Sequence, residues 1–525
     1  MPIPTIGVVV RRSGPYPAVY KVTRSYRNEK GQPTNDRVNI GKLDLETGKL
    51  IPNAKYWEYY GPSLVELEIL PTYNSIRSFG TEFLVEHIMS SLGINETLDA
   101  CLEDSSLVKT AALYMTARGN VFEGVLDYCE DFTLFRKSLA SSSASELFAS
   151  ITYDQRMAFF KKWVDKQQSG KYLAYDVTSF STYSKDIIDS EWRDNSDGEK
   201  LPQNNLGCFL SEATGMPVFY VTYPGSIVDK SHLQYMMAYN PELGIKNVGF
   251  VLDRGFCSTA NIKFLAKNHY EFIMGVPTRC KTTLETIDLA RDSIISKRNL
   301  VADGVYAVSK KGFFYGTASV MNVYYCPDLA EHKRKTLFRS IESQEESLKQ
   351  LKGVSDRDIK KYRTYFSIQV NEDRSLIFKR NFNKIDNESQ NFGFFCLLTN
   401  IDLNALEILD KYRRKDAIEN IFDDIKNHID MKRMRTHNSK TTDGKLFCCF
   451  IALIIVSEIG IKLKDLMKIH CLSKNSIIRE MEKIRLVIGS DGKKVMNPLT
   501  QLQCKILEPF GLGEEDVKAY LARLT

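Results

Sequence analysis

The chain has 525 residues, more than one hydrophobic core usually covers, so three or four units are expected. Apolar residues make up 43% and charged residues 26%, a composition that excludes both a disordered chain and a fibre. The formal net charge is +6, and residues 1–55 alone hold ten Lys/Arg against four acids, equal to the excess of the whole chain. A local basic surface of this kind suits a polyanion, and it also fits a plain solvated face.

In chain order, the opening MPIPTIGVVVRR lacks the basic start, long apolar stretch and cleavage site of a secretory signal. Residues 1–62 alternate short β-type runs (IGVVV, AVYKVTRSY, RVNIGKL) with turn clusters such as NEKGQPTND, which predicts a small basic β module suited to DNA. From 74 to 167 apolar residues recur at three and four spacing, broken by Gly or Ser, and predict a helical domain that is a second candidate for DNA binding. Residues 171–280 change to an α/β texture. YLAYDVTSF, LGCFLS, PVFYVTYPG, NVGFVLDRG and YEFIMGVP read as strands, with a hairpin turn at Gly215-Met216-Pro217 and a helix over SHLQYMMAYNPELG.

The regularity is interrupted over 281–390 by a helical piece, a pair of strands and a long charged helix, which reads as an insertion. FGFFCLLTN at 392–400 resumes the core over 391–470, followed by one long helix through LNALEILDKYRRKDAIENIFDDIKNHID and a buried helix at 446–460. A mixed C-terminal segment spans 471–525. The apolar run LFCCFIALIIV is eleven residues long, too short to span a bilayer, so no membrane role is expected. Eleven scattered cysteines with no C-x-x-C predict reduced core thiols and a cytoplasmic location.

The chemistry gathers at three acids. Asp176 and Asp253 each follow an apolar β-type run and precede small or polar residues, the placement a metal-binding carboxylate needs; singly, each also fits a turn or cap residue. On the helix, Tyr412, Lys415, Glu419 and Lys426 fall within a sector of roughly 60° at about 100° per residue. The same residues also read as a surface with i,i+3 and i,i+4 charge pairs. Two strand-borne aspartates and a helix-borne glutamate meeting in space suit divalent metal ions and phosphodiester chemistry. Trp192 suits either base stacking or a loop anchor. His437 lies in a basic stretch with Lys432, Arg433, Arg435, Lys440 and Lys445 that reads as a DNA-facing loop.

With its Y-x2-[KR]-x3-E-x6-K spacing over 412–426, the chain resembles the DDE transposases of bacterial insertion sequences, in the branch with a Tyr-Arg-Glu-Lys signature. DGEKLPQNNLGCFLSEATGMPVFYVTYPGSIVDKSHL and VGFVLDRGFCS are similar to the stretches around the family's two aspartates. NIGKLDLETGKLIPN and NPLTQLQCKILEPFGL are similar to the family's ends. The resemblance implies an α/β, RNase H-like catalytic core with an insertion domain. It implies that Asp176, Asp253 and Glu419 are catalytic and bind two Mg²⁺ ions, with Mn²⁺ as a substitute. Tyr412, Lys415 and Lys426 would hold DNA phosphates, helped by Arg414 and by Arg254, which alternatively pairs with a nearby acid. The family's arginine position is Lys415 here, which keeps the charge and loses the bidentate fork.

The implied partners are double-stranded DNA with terminal inverted repeats and target DNA, in a homodimer within a synaptic complex. Two other readings remain open from the residues. One is a catalytically inactive or repurposed transposase acting as a DNA-binding protein. The other is a carboxylate-pair glycoside hydrolase, which leaves the basic first module unexplained.

Overall fold

Period-two alternation in the first fifty residues builds a four-stranded antiparallel sheet in the order β1 (Val8–Arg11), β2 (Ala18–Arg27), β3 (Pro33–Leu43), β4 (Leu50–Pro52). Val19, Ile40, Leu43 and Leu50 form its core, and Tyr56 and Tyr60 of the helix Ala54–Tyr60 pack against it. In this computed structural model the described residues are 3–14, 17–60, 73–167, 172–188, 190–192, 201–237, 242–243, 245, 248–351, 359–371, 375–490 and 493–523. The boundary expected between 62 and 74, the acidic loop at 193–200, and residues 238–241 and 244 of the SHLQYMMAYNPELG helix lie outside them. Two units are present, Met1–Ile76 with Val487–Val495, and Arg77–Leu486 with Met496–Thr525.

The larger unit is organised by one mixed sheet. Its centre is β5 (Tyr172–Thr182), flanked on one side by β6 (Pro202–Ser211) and β7 (Pro217–Pro224), and on the other by β8 (Gly249–Leu252) and β9 (Glu271–Val276). β6 runs antiparallel to both β5 and β7, whereas β8 is parallel to both β5 and β9. That five-strand order is the RNase H-like arrangement the sequence led us to expect. The strands bury both faces, which is why they read as near-continuous apolar runs.

β10 (Val305–Phe314) and β11 (Thr317–Tyr325), both inside the expected insertion, pair edge to edge with the core sheet. Between them and β9 stands β12 (Phe394–Thr399), antiparallel to both neighbours. The rest of that segment forms a helix over Pro327–Gln350 and a two-stranded ribbon (Phe366–Val370 with Leu376–Arg380) around a small core that includes Leu337, Ile341 and Phe366.

Six helices between Gly80 and Gln167 fulfil the expected helical texture. They share a core with a 24-residue helix, Ser439–Lys462, which packs on the helices Ser106–Arg118 and Ser141–Ser150. The apolar run expected to be eleven residues is therefore the middle of a longer helix, extended by polar residues that the hydropathy pattern did not include. By length and composition alone it could cross a membrane, yet 89% of its most apolar window is buried inside the protein. Gly444 sets the closeness of this packing: a Cβ there would lie 1.9 Å from the Phe148 carbonyl oxygen. Gly444→Ala is expected to lower stability by about 1–3 kcal/mol, the usual range for overpacking, and a urea midpoint measured against wild type checks it.

Candidate active site

Asp176 sits in the middle of β5, opposite Cys208 of β6. The sequence places it at a strand end, but the polar half that follows, VTSFST, keeps pairing with β6, and Ser181 and Thr182 also pair with Arg433 and Met434. Asp253 directly follows β8, the parallel neighbour of β5, and leads into a short 3-10 turn at Arg254–Phe256. Leu252 and Tyr175 are in register, so the two aspartates extend adjacent strands one residue further, to the same level.

The cation between them comes from the helical segment. It opens at a capping box: the Asn404 side chain accepts from the Glu407 amide at 3.0 Å, and the Glu407 carboxylate accepts from the Asn404 amide at 3.0 Å. The first helix, Ala405–Arg414, buries Ile408 and Leu409 and lays Tyr412 against the core cluster of Ile273 and Leu397. The Tyr412 hydroxyl donates to the Asp253 carboxylate at 2.9 Å. The helix breaks at Lys415, whose neighbours switch to i,i+3 bonding: the Lys415 amide donates to the Tyr412 carbonyl at 3.1 Å and the Ile418 amide to the Lys415 carbonyl at 2.8 Å. Lys415 is only 5% exposed. Its ammonium lies 4.0 Å from an Asp176 oxygen and 3.7 Å from an Asp253 oxygen.

The single long helix of the sequence reading is thus three pieces: Ala405–Arg414, Asp416–Asp423 and a π-helical turn at Asp424–His428. Between Tyr412 and Lys426 the chain therefore passes one tight step and one wide turn. Glu419 is on the second piece, which packs beside β5, and its side chain is exposed. Lys426 is half-buried on the π turn. Arg254 is exposed at the start of the 3-10 turn. Arg414 turns the other way and donates to the buried Glu212 carboxylate at 2.9 Å, with Lys411 at 3.4 Å from the same group. The structure therefore brings together Asp176, Asp253, Tyr412 and Lys415, and ties Arg414 to the turn between β6 and β7 instead.

Burial pushes the Asp176 carboxyl up to about 6, and Asp253 and Asp229 add to the rise, against the pull of Lys415 and the Val177 amide. Two carboxylates sharing one ammonium offer the hard oxygen donors a divalent cation takes. Among the described residues, however, no group of three or more His, Cys, Asp or Glu side chains stands in metal-holding geometry. Lys415 supplies the positive charge that this carboxylate pair requires.

A model of the transposase DDE domain matches residues 168–455, more than half of the chain. The chain belongs to the DDE transposase family. Among solved structures it is similar to the piggyBac transposase synaptic complex with hairpin DNA, at 9% identity and a TM-score of 0.36, covering 77% of this chain and 76% of that one. It is also similar to the Mos1 transposase paired-end complex with the left transposon end, at 15% identity and a TM-score of 0.15, covering 26% and 43% of the two chains. No curated protein matches it in sequence.

Two supporting residues escaped the sequence reading. Gly275 of β9 lets the tyrosine in: a Cβ there would lie 2.6 Å from the Tyr412 hydroxyl and 2.9 Å from the Arg254 amide nitrogen. An isolated glycine inside a strand is itself a sign of close approach, so YEFIMGVP carried the signal. Glu212 gave none, being one acid in a turn. The basic stretch around His437 also divides. Lys445 is buried, donating to Asn120 at 3.2 Å with its pKa lowered to about 8 by burial, and Arg435 pairs with Asp430 at 2.8 Å. Trp192 is 67% exposed beside Pro202.

Two outcomes follow. Because the folded Asp176 holds its proton up to about pH 6, above its ordinary 3.8, this group lowers stability as pH rises from about 4 to 6 and costs a constant amount above that. In chelator, Asp176→Asn should therefore match wild type near pH 4 and be more stable by about 1–3 kcal/mol at pH 8, read from urea midpoints across pH. Gly275→Ala should displace the Tyr412 hydroxyl and cost about 1–3 kcal/mol. A double-mutant cycle with Tyr412→Phe should then give less than the sum of the two single losses.

Proposed function

We propose that this transposase binds the ends of an insertion sequence, cleaves the strands there and joins them to target DNA. The observation that carries the reading is the pair Asp176 and Asp253, on neighbouring parallel strands at one level of an RNase H-like sheet, within the matched domain. In this reading Asp176, Asp253 and Glu419 hold divalent metal, Mg²⁺ with Mn²⁺ as a substitute. Such ions, when bound, activate an attacking water or 3′-hydroxyl and stabilise the leaving oxygen. In this reading Glu419, exposed on the short helix that packs beside β5, completes the set. The Tyr412 hydroxyl orients Asp253, and the ammonium of Lys415, beside both aspartates, would be the nearest cation to a scissile phosphate bound there. Lys426 and Arg254 lie on exposed or half-exposed turns suited to backbone phosphates. Terminal inverted repeats as the bound sequence, a homodimeric synaptic assembly and a cytoplasmic location rest on the family resemblance.

The second reading, a DNA-binding protein without catalysis, is favoured by one observation, the lysine lodged between the aspartates. Nicking of a supercoiled plasmid carrying the DNA that flanks its own gene, with Mg²⁺ or Mn²⁺, separates the two. Wild type should nick, and Asp176→Ala, Asp253→Ala and Glu419→Ala should each lose at least about a hundredfold in rate while retaining DNA affinity. Full activity in any one variant removes that residue from the site. A wild type that binds and never nicks leaves the second reading standing.

A further inference from the structure

β2 and β3 are longer than their sheet requires. β1 pairs with Ala18–Lys21 and β4 with Gly41–Leu43, so beyond Val22 the two strands continue as a ribbon with no flanking strand among the described residues. Every residue from Thr23 to Pro33 is exposed, and the module's buried core stops at Val19 and Ile40. A two-stranded ribbon without an apolar face is marginal in water. This one is nonetheless set by local chemistry. The Asn28 side chain accepts from the Lys30 amide at 3.1 Å and the Gln32 amide at 2.9 Å, Arg27 donates to the Gly31 carbonyl at 2.8 Å, and Tyr26 donates to Asp36 at 3.3 Å.

The register divides the ribbon's side chains. Arg24 faces Asp36 and Tyr26 faces Thr34, whereas on the other face Ser25 pairs with Asn35 and Arg27 with Pro33. Alternation adds Arg37 to the second face, where its guanidinium donates to Asn35. That face therefore presents Arg27, Asn35 and Arg37 with no carboxylate among them. Arginine and asparagine are the side chains that read guanine and adenine edges, and the major groove of B-DNA admits a two-stranded ribbon. The deep, narrow groove of A-form RNA does not.

We propose that the hairpin Val22–Val38 enters the major groove of duplex DNA with Arg27, Asn35 and Arg37 toward the base edges. The proposal rests on the transposase reading for its polyanionic partner, and on the ribbon's geometry for the groove. Arg24 and Lys30, at the ribbon's margin and tip, meet the flanking phosphates.

The test uses the full chain and a labelled mixed-sequence 30-base-pair DNA duplex in fluorescence anisotropy at fixed salt. Methyl green serves as the major-groove competitor and netropsin as the minor-groove competitor. Methyl green should displace wild type and netropsin should not. Arg27→Ala/Arg37→Ala should bind about tenfold or more weakly, with residual binding insensitive to methyl green. Its urea midpoint should be unchanged, because the ribbon adds nothing to the core. The matching RNA duplex should bind more weakly than DNA. Wild-type affinity in the double variant, or displacement by netropsin instead, overturns the proposal. If plasmid nicking by wild type persists in either case, the groove assignment falls and the transposase reading stands. Absence of any DNA binding by wild type overturns both.

Discussion

A buried ammonium between two carboxylates is the interaction around which the larger unit is arranged. Adjacent parallel strands carry Asp176 and Asp253 to one level, where unopposed negative charge would drive them apart. Lys415 opposes that repulsion from within 4.0 Å of both. Truncating Lys415 would leave the two carboxylates facing each other without it, the kind of loss that generally costs about 3–5 kcal/mol. Everything that fixes Lys415 therefore fixes the site.

Three features do so. The capping box at Asn404 starts the helix at a defined residue, and Ile408, Leu409 and Tyr412 dock it on the sheet. Glu212, in the turn after β6, binds Lys411 and Arg414 on the far side and sets the helix's rotation. Lys415, three residues beyond Tyr412, shares the helix face that docks on the sheet, while Arg413 and Arg414 are exposed on the other. Gly275 supplies the remaining space, since any side chain there would meet the Tyr412 hydroxyl. The arrangement holds two acids in place beside one buried charge, with Glu419 on the short helix that follows.

Periodicity made most of the strands visible, because the buried strands carry near-continuous apolar runs and most of them begin or end near Gly, Pro or Asn. It misjudged elements whose limits are set by neighbours. β5 continues through polar residues because β6 supplies the pairing, and the helix Ser439–Lys462 starts before its apolar middle, where Thr441, Thr442 and Lys445 are buried too. The strands of 305–325 look like an insertion in the sequence, yet they join the core sheet through β12, a strand seventy residues further on. Charge was the least legible property. Lys445 and Arg414 read as surface cations, and both are committed to partners from distant segments.

The sequence by itself determined the apolar strands, the two aspartates after or within them, the tyrosine-to-lysine spacing at 412–426 and the basic excess of the first module, because these depend on residue type and local period. Tertiary structure alone decided that Lys415 lies between the aspartates, that Arg414 answers to Glu212, and that the Glu419 helix is a separate short piece. Those outcomes depend on which charges share a low-dielectric space, and that is settled only when segments hundreds of residues apart pack together.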